Sequence, residues 1–244
     1  MKSIFSIKNK VFIITGTSSG IGKYIAEKLV LYGAIVYGIT RTKIKNTNYS
    51  NIHCELTNLK KLKQEIKKIY KKHKKISVLI NNAGITRESK NLDDNLKNFD
   101  DVININTKIP IFLANECSKL MKKSDAASII NICSLASKLG FPNNPSYVAS
   151  KGALAQSSKS LAIDFAKKNI RVNNILPGYI KTKMTINSYK NKKKFSLRKN
   201  RTMLDRWGLP EDILGAVIFL SSEGSKYITG SDIIIDGGWL SKGL

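Results

Sequence analysis

The sequence of 244 residues predicts an α/β fold, in which helices cover both faces of a doubly wound parallel sheet. Three observations lead to this prediction. Short β-branched or aromatic runs alternate with amphipathic stretches along the whole chain. A glycine-rich turn joins the first run to the first amphipathic stretch, and no internal repeat or linker breaks the alternation. The length and the hydrophobic content of 42% suit a single domain, residues 1–244, with a substantial core.

The individual elements follow from these patterns in chain order. The run at 11–15 is typical of a buried strand, and apolar residues at helical spacing follow over 20–30. A second strand at 34–40 precedes a lysine-rich helix at 59–72, whose buried stripe we expect to be Leu59, Leu62, Ile66 and Ile69. Further strands are predicted at 76–80, 128–132, 171–176 and 232–236, and further helices at 100–120, around 147–166 and at 212–221.

Several motifs fall where the predicted strands end. They contain Gly16, Thr40, Asn81, Ser134 and Pro177. Ligands of a doubly wound sheet bind beyond the carboxyl ends of its strands. We therefore expect these motifs to line one crevice.

The glycine motif lies between the first strand and the first helix. Gly16, Gly20 and Gly22 would let backbone N–H groups and a helix N-terminus approach a pyrophosphate. An ordinary tight turn is the alternative, because glycine suits any turn that needs a positive φ. The strand–turn–helix context favours dinucleotide binding.

The end of the second strand bears on which dinucleotide is bound. A site selective for NAD usually has Asp or Glu there, whereas Arg accommodates the 2′-phosphate of NADP. Here the strand runs into Thr40-Arg41-Thr42 without an acid, and Arg41 could pair with phosphate. This pattern favours NADP(H). A solvated Arg41 is the alternative, since Lys43 and Lys45 lie nearby.

A tyrosine and a lysine four residues apart, Tyr147 and Lys151, would share one face of a helix. An ammonium near a phenol favours the phenolate and lowers the phenol pKa from its reference value of about 10. Such a phenol could exchange protons near neutral pH, and Ser134 could bind a substrate oxygen. The spacing alone is common on solvated helices, so the prediction depends on the glycine motif upstream.

The formal net charge of +25 raises the possibility of a nucleic-acid partner. Lysine greatly outnumbers arginine, however, and asparagine and isoleucine are abundant, as expected from an AT-biased coding sequence. The lysines are also spread along helices. The composition therefore favours solvated helix faces over a dedicated nucleic-acid function.

Composition also bears on metals, membranes and location. Cys54, Cys117 and Cys133 show no C-x-x-C spacing and no histidine partners, so we expect reduced, mostly buried thiols and no metal site. No apolar stretch approaches the roughly 20 residues of a membrane span. The first residues carry no cleavable signal pattern. These features favour a cytoplasmic protein without a membrane partner.

In combination and order, the motifs resemble those of classical short-chain dehydrogenases/reductases. They are T-G-x-x-x-G-I-G at 15–22, N-N-A-G at 81–84, Asn106 in I-N-I-N-T, Ser134, Y-x-x-x-K at 147–151 and P-G-x-I-x-T at 177–182. The resemblance covers essentially the whole chain. It implies a Rossmann fold with an extra strand, usually a homotetramer, and hydride transfer between NAD(P) and a carbonyl or secondary alcohol.

The resemblance also implies residue roles. Tyr147 would be the acid/base, and Lys151 would lower its pKa and hold the nicotinamide ribose. Ser134 would polarise the carbonyl, and Asn106 would support a proton-relay water. The implied cofactor positions are Gly16, Ser18, Ser19, Gly20, Ile21, Gly22, Thr40, Arg41, Glu55, Leu56, Asn82, Ala83, Gly84, Tyr147, Lys151, Pro177, Gly178, Ile180 and Thr182.

Three positions depart from the family pattern. Glu55 stands where Asp commonly contacts adenine. Ser19 stands where some NADP-preferring members have a basic residue, which leaves Arg41 to recognise the phosphate largely alone. Cys133 precedes the catalytic serine where Ser or Gly is usual, and we interpret it as a packing variant.

Two subfamilies remain open. The segment 81–87 resembles 3-oxoacyl-[acyl-carrier-protein] reductases, whereas 177–184 and 206–212 resemble gluconate 5-dehydrogenases and related sugar or sugar-acid reductases. The second is favoured, because the expected substrate lid, residues 183–207, lies in that part. The lid cations expected to attract an anionic substrate are Lys190, Lys192, Lys193, Lys194, Arg198 and Arg201. A catalytically silent NADP-binding regulator is a remote alternative, disfavoured because all four catalytic positions are present.

Overall fold

The computed structural model describes residues 3–122 and 126–243, and these contain a seven-stranded parallel sheet. Met1, Lys2, residues 123–125 and Leu244, which belong to the predicted domain, lie outside the described residues. The strands are β1 Val11–Thr15, β2 Ile35–Thr40, β3 Ser50–His53, β4 Val78–Asn81, β5 Ser128–Ile132, β6 Arg171–Pro177 and β7 Asp232–Ile235. Their spatial order, β3-β2-β1-β4-β5-β6-β7, is that of a Rossmann fold with an extra strand. The predicted fold class is confirmed.

Helices cover both faces of the sheet. They are α1 Gly20–Leu31, α2 Leu59–His73, α3 Leu92–Lys97, α4 Phe99–Ile103, α5 Ile109–Ser118, α6 Pro145–Ala166, α7 Ile186–Lys190, α8 Lys192–Arg201 and α9 Glu211–Ser221. Side chains alternate between the faces along β1. Val11 and Ile13 pack with α2, α5 and α6, whereas Phe12 and Ile14 pack with α1 and α9.

The apolar stripe predicted for α2 faces the core. Leu62, Ile66 and Ile69 are buried, and Leu59 is partly buried against the same cluster. The lysines of this helix are turned to solvent or lie at its margins. The three cysteines are free and buried, as predicted.

The structure adds three features to the predicted elements. The edge strand β3 was not expected, because Ser-Asn-Ile-His lacks an apolar run. The predicted helical region at 100–120 consists of α4, a π-helical turn at Asn104–Lys108, and α5. The segment predicted as a lid contains α7 and α8. Within the residues described, no helix has both the length and the apolar character needed to cross a membrane.

Candidate active site

A cleft of about 560 Å³ lies at the carboxyl ends of β1, β2, β4, β5 and β6. Most of the sequence-predicted site residues line it: Gly16, Ser18, Ser19, Gly20, Ile21, Thr40, Arg41, Glu55, Leu56, Asn82, Ala83, Gly84, Ser134, Tyr147, Lys151, Pro177, Gly178, Ile180 and Thr182. Gly22 and Asn106 are not among the lining residues. The ends of these strands therefore line one cleft, as predicted.

The glycine turn is shaped by close approaches of backbone and side chain. Gly16 has φ +74, and a Cβ there would lie 2.9 Å from the Cα of Ala83. A Cβ on Gly22 would lie 2.3 Å from the Nδ2 of Asn82, so Gly22 permits packing and does not face the cleft. Gly22 therefore supports the shape of the turn, and its expected role in cofactor contact stays a prediction.

The turns after β1 and β4 are joined by hydrogen bonds. The Nδ2 of Asn82 donates to the carbonyl oxygens of Thr15 and Gly16 at 2.9 and 3.2 Å. The Thr15 hydroxyl accepts from the backbone N–H groups of Asn82 and Ala83 at 3.1 and 3.0 Å. These bonds fix the floor of the nucleotide end of the cleft.

The N-terminus of α1 opens into this end. Its N-cap residue, Ser19, makes no side-chain capping bond, and the first turn carries no acidic residue. The backbone N–H groups and the positive end of the helix dipole are thus available to an anion. A pyrophosphate fits the chemistry of this turn.

The turn after β2 presents a cation and no carboxylate. The buried Thr40 hydroxyl donates to the carbonyl oxygen of Thr42 at 2.6 Å and accepts from its N–H at 2.9 Å, which folds the chain into a tight turn. Arg41 is exposed on this turn and lines the cleft. Glu55, which follows the neighbouring strand β3, is also exposed and lines the cleft. A second arginine, Arg87, lines the cleft as well.

Helix α6 places Tyr147 and Lys151 side by side. Lys151 is 4% exposed, and its Nζ lies 5.9 Å from the centroid of the Tyr147 ring. The ammonium donates to the carbonyl oxygen of Ile132 at the end of β5, at 2.8 Å. Ser134, two residues further along, hydrogen-bonds the Tyr147 phenol. A proton donor, a cation and a second hydroxyl therefore meet at one end of the cleft.

The direction of the Tyr147 shift corrects the sequence-based expectation. Burial raises the pKa of the Tyr147 phenol above its usual value, and the hydrogen bond from Ser134 opposes this only in part. Burial also lowers the pKa of Lys151. The expected lowering of the phenol pKa by Lys151 is therefore wrong for this state of the protein, and the phenol is protonated at neutral pH.

Asn106 acts behind the cleft wall. Its side chain is fully buried in the π-helical turn, where Oδ1 accepts from the Ile85 N–H at 2.8 Å. Its Nδ2 donates to the Ile85 carbonyl at 2.9 Å and to the Ser150 hydroxyl at 3.0 Å. The Ser150 hydroxyl in turn donates to the Tyr147 carbonyl at 2.8 Å. The Asn106 side chain is thus used to hold α6 against the segment after β4.

With this geometry described, comparison with known proteins decides the family. A family model described as Enoyl-(Acyl carrier protein) reductase, one of the short-chain dehydrogenase/reductase models, matches residues 16–240. The chain belongs to the short-chain dehydrogenase/reductase family. It is therefore an oxidoreductase of the kind that acts on CH–OH and C=O groups.

Individual relatives are similar over nearly their whole length. The chain is 33% identical to 2-dehydro-3-deoxy-D-gluconate 5-dehydrogenase of Dickeya dadantii, over 98% of each protein. It is 36% identical to 3-oxoacyl-[acyl-carrier-protein] reductase of Rickettsia felis, over 97% of this chain and 99% of that protein. Among solved structures, gluconate 5-dehydrogenase from Burkholderia cenocepacia in complex with NADP and tartrate superposes with a TM-score of 0.91, at 26% identity over 98% of each chain.

Further residues of this dehydrogenase/reductase line the cleft without having been predicted. They include Ile39, Thr57, Ile85, Arg87, Asp101, Asn104, Ile105 and Ile132, while Lys183 and Thr185 come from the segment predicted as a lid. Ile85 and Arg87 directly follow the N-N-A-G motif, which was the available signal. Asp101 lies in α4 and Asn104 in the π-helical turn, which the sequence pattern does not reveal.

The lid segment rests on an aromatic cluster, defined here as Phe141, Tyr179, Tyr189, Phe195, Trp207 and Trp239. The Arg198 guanidinium lies 4.4 Å from the ring centroid of Tyr179 and 5.8 Å from that of Trp207. By contrast, Lys192, Lys193 and Lys194 are exposed on the first turn of α8. Arg198 is therefore held in the aromatic cluster, whereas the three lysines are exposed to solvent.

Proposed function

We propose that this enzyme interconverts a carbonyl and a secondary alcohol of a small sugar acid or similar polar molecule, using NADP(H). The observation that carries the proposal is the cleft itself. It has an uncapped helix N-terminus and Arg41 at one end, and Tyr147, Ser134 and Lys151 at the other. A dinucleotide lying along this cleft would bring its nicotinamide to the phenol.

In reduction, Tyr147 donates its proton to the carbonyl oxygen, and the raised pKa keeps that proton in place at neutral pH. Ser134 orients the same oxygen by hydrogen bonding. Lys151 would hold the nicotinamide ribose, while Thr182 and the Ile180 backbone would hold the carboxamide. Bound NADPH supplies the hydride to the carbonyl carbon. In oxidation the phenolate accepts the alcohol proton.

Asn106 contributes by placing these groups. Because its side chain is bound to Ile85 and Ser150, any contact with a proton-relay water would come from its backbone within the π-helical turn. The side chain keeps the Tyr147 segment of α6 at a fixed distance from the nucleotide end.

Cofactor preference is the first expected result. Arg41→Ala should lower kcat/KM with NADPH while changing kcat/KM with NADH little, because only NADPH carries the 2′-phosphate that Arg41 would pair with. Lys45→Ala, which removes the same charge from a nearby exposed position, is the control. Wild-type preference for NADH, or an unchanged ratio in Arg41→Ala, contradicts the NADP(H) assignment.

The second expected result concerns attraction of the substrate by the lid. Neutralising Lys192, Lys193 and Lys194 to glutamine should raise KM for an anionic substrate and weaken its salt dependence, with NADPH affinity little changed. The matched control is a triple glutamine variant of three lysines on α2: Lys67, Lys71 and Lys72. Steady-state kinetics at low and high salt make the comparison. Lid variants that match wild type at both salt concentrations would show that these lysines have no part in substrate binding.

The alternative function is reduction of a 3-oxoacyl thioester on acyl carrier protein. It is supported by the Rickettsia relative and by the basic surface, which suits an acidic partner protein. Sugar acids are favoured because the lid-side motifs resemble their dehydrogenases, and because the Dickeya relative is one such enzyme.

We further propose that residues 1–244 form one domain and that the protein assembles as a homotetramer in the cytoplasm. Apolar side chains on two outer surfaces support the assembly. Ile163 on α6 is 76% exposed, and Ile234 on the edge strand β7 is 47% exposed. Burial of these residues between copies would remove apolar surface from water.

A further inference from the structure

The short turn that follows β5 begins at Ser134. The Ser134 hydroxyl accepts from the Ala136 N–H at 3.1 Å, and its carbonyl accepts from the Ser137 N–H at 2.9 Å. The next residue, Lys138, closes the turn by donating its N–H to the Leu135 carbonyl at 2.8 Å. Any group that holds Lys138 therefore also limits the movement of Ser134.

An ion pair holds Lys138 to the edge strand β7. Its Nζ lies 2.7 Å from the Oδ2 of Asp232, whose side chain is 12% exposed. The other carboxylate oxygen of Asp232 accepts from the Nδ2 of Asn174 at 2.8 Å. Asn174 is fully buried on β6 and also donates to the Ala155 carbonyl of α6. The carboxylate is thus fixed on both oxygens and linked to the sheet and to α6.

The Asp232 carboxylate remains charged in this partly buried position. Burial alone would raise the pKa of Asp232, but the hydrogen bonds from Lys138 and Asn174 outweigh it and hold the pKa below its usual value. Lys159 on α6 adds a weaker attraction, and the Cys133 thiol is the other titratable group nearby. Asp232 is therefore ionised at neutral pH and remains paired.

A second tether acts on the same turn. The Ser137 hydroxyl donates to the backbone carbonyl of Lys151 at 3.0 Å. This bond connects the turn to α6 at the residue whose side chain lines the cleft. The turn that begins at Ser134 is thus tethered both to β7 and to α6.

We propose that Asp232 is a positioning residue: its ion pair with Lys138 holds the turn so that the Ser134 hydroxyl stays against the Tyr147 phenol and the substrate oxygen. The inference rests on the proposed function of Ser134 and Tyr147. It adds to that function a pair of residues that touch neither substrate nor cofactor.

Asp232→Asn and Lys138→Met test the proposal. Each should lower kcat about tenfold to hundredfold, the cost typical of small misplacements in an active site, and leave the affinity for NADPH unchanged. Loss of the Ser134 hydrogen bond should also move the rise of alcohol oxidation to higher pH, because that bond lowers the pKa of Tyr147. The double variant should be no worse than either single variant, and Asp232→Glu should restore part of the rate.

The control is Glu65→Gln, which removes an ion pair of equal length, 2.7 Å, on α2. The comparison uses whichever carbonyl compound the wild type reduces best, so a wrong substrate assignment leaves the test intact. Should Asp232→Asn not fold, Lys138→Met carries the test, because its side chain is 42% exposed. Folded variants with a wild-type rate and pH profile would overturn the proposal.

Discussion

Tyr147→Phe is expected to lower kcat by at least about 10²–10⁴-fold, the usual contribution of a positioned acid or base. The substitution removes the hydroxyl that donates the proton and leaves the ring, so NADPH should still bind. Tyr227→Phe removes the same atom from a fully exposed ring and is the control. Stopped-flow or steady-state rates with NADPH and fluorescence titration of the nucleotide separate the two effects. Activity within a few-fold of wild type would remove Tyr147 from the mechanism.

The pH profile of the wild type follows from the same residue. Because burial raises the pKa of the phenol, the proton donor is present throughout neutral pH, and carbonyl reduction should be level there. Reduction should fall only when the pH reaches the phenol pKa, whereas alcohol oxidation needs the phenolate and should rise with pH. Rates in both directions, measured from about pH 6 to well above about pH 10, the reference pKa of tyrosine, reveal the crossing. An oxidation rate that falls as the pH rises would contradict this assignment.

Lys151→Met is expected to impair both nucleotide binding and turnover, with kcat reduced by about 10²-fold or more. The ammonium is buried at the cleft, is held by the Ile132 carbonyl and lies beside the Tyr147 ring, so its loss removes a cation from that ring. Lys167→Met, on an exposed position at the end of the same helix, is the control. A variant in which NADPH affinity and kcat both match wild type would show that Lys151 has a structural role alone.

The central strands could be predicted because their burial leaves a strong sequence signal. Val11–Thr15 is buried at every position, and its sequence is a nearly continuous apolar run. The strand β3 was not predicted, because its end residues Ser50 and His53 are exposed and leave no apolar run. Its pairing with β2 depends on tertiary contacts. The π-helical turn at Asn104–Lys108 likewise follows from packing against α6, which no periodicity of the local sequence encodes.

The candidate site divides in the same way. Residues at a strand end, such as Gly16 and Pro177, line the cleft because a parallel sheet brings all carboxyl ends to one edge. The predicted direction of the Tyr147 pKa shift was wrong. The spacing between Tyr147 and Lys151 shows that the two side chains are neighbours, but it does not show how deeply the phenol is buried. The role of Asp232 had no sequence signal, since it depends on a contact between residues 94 positions apart, 138 and 232.

One measurement tests the central claim most directly: NADPH or NADP⁺ turnover by the purified protein with a panel of substrates. The panel contains D-gluconate, 2-dehydro-3-deoxy-D-gluconate, neutral aldoses and a 3-oxoacyl thioester of acyl carrier protein, each assayed for wild type and Tyr147→Phe. The proposed function predicts the highest kcat/KM for a sugar acid with NADP(H), and its loss in Tyr147→Phe. A kcat/KM far higher for the acyl-carrier-protein thioester, or no Tyr147-dependent turnover of any member, would contradict it.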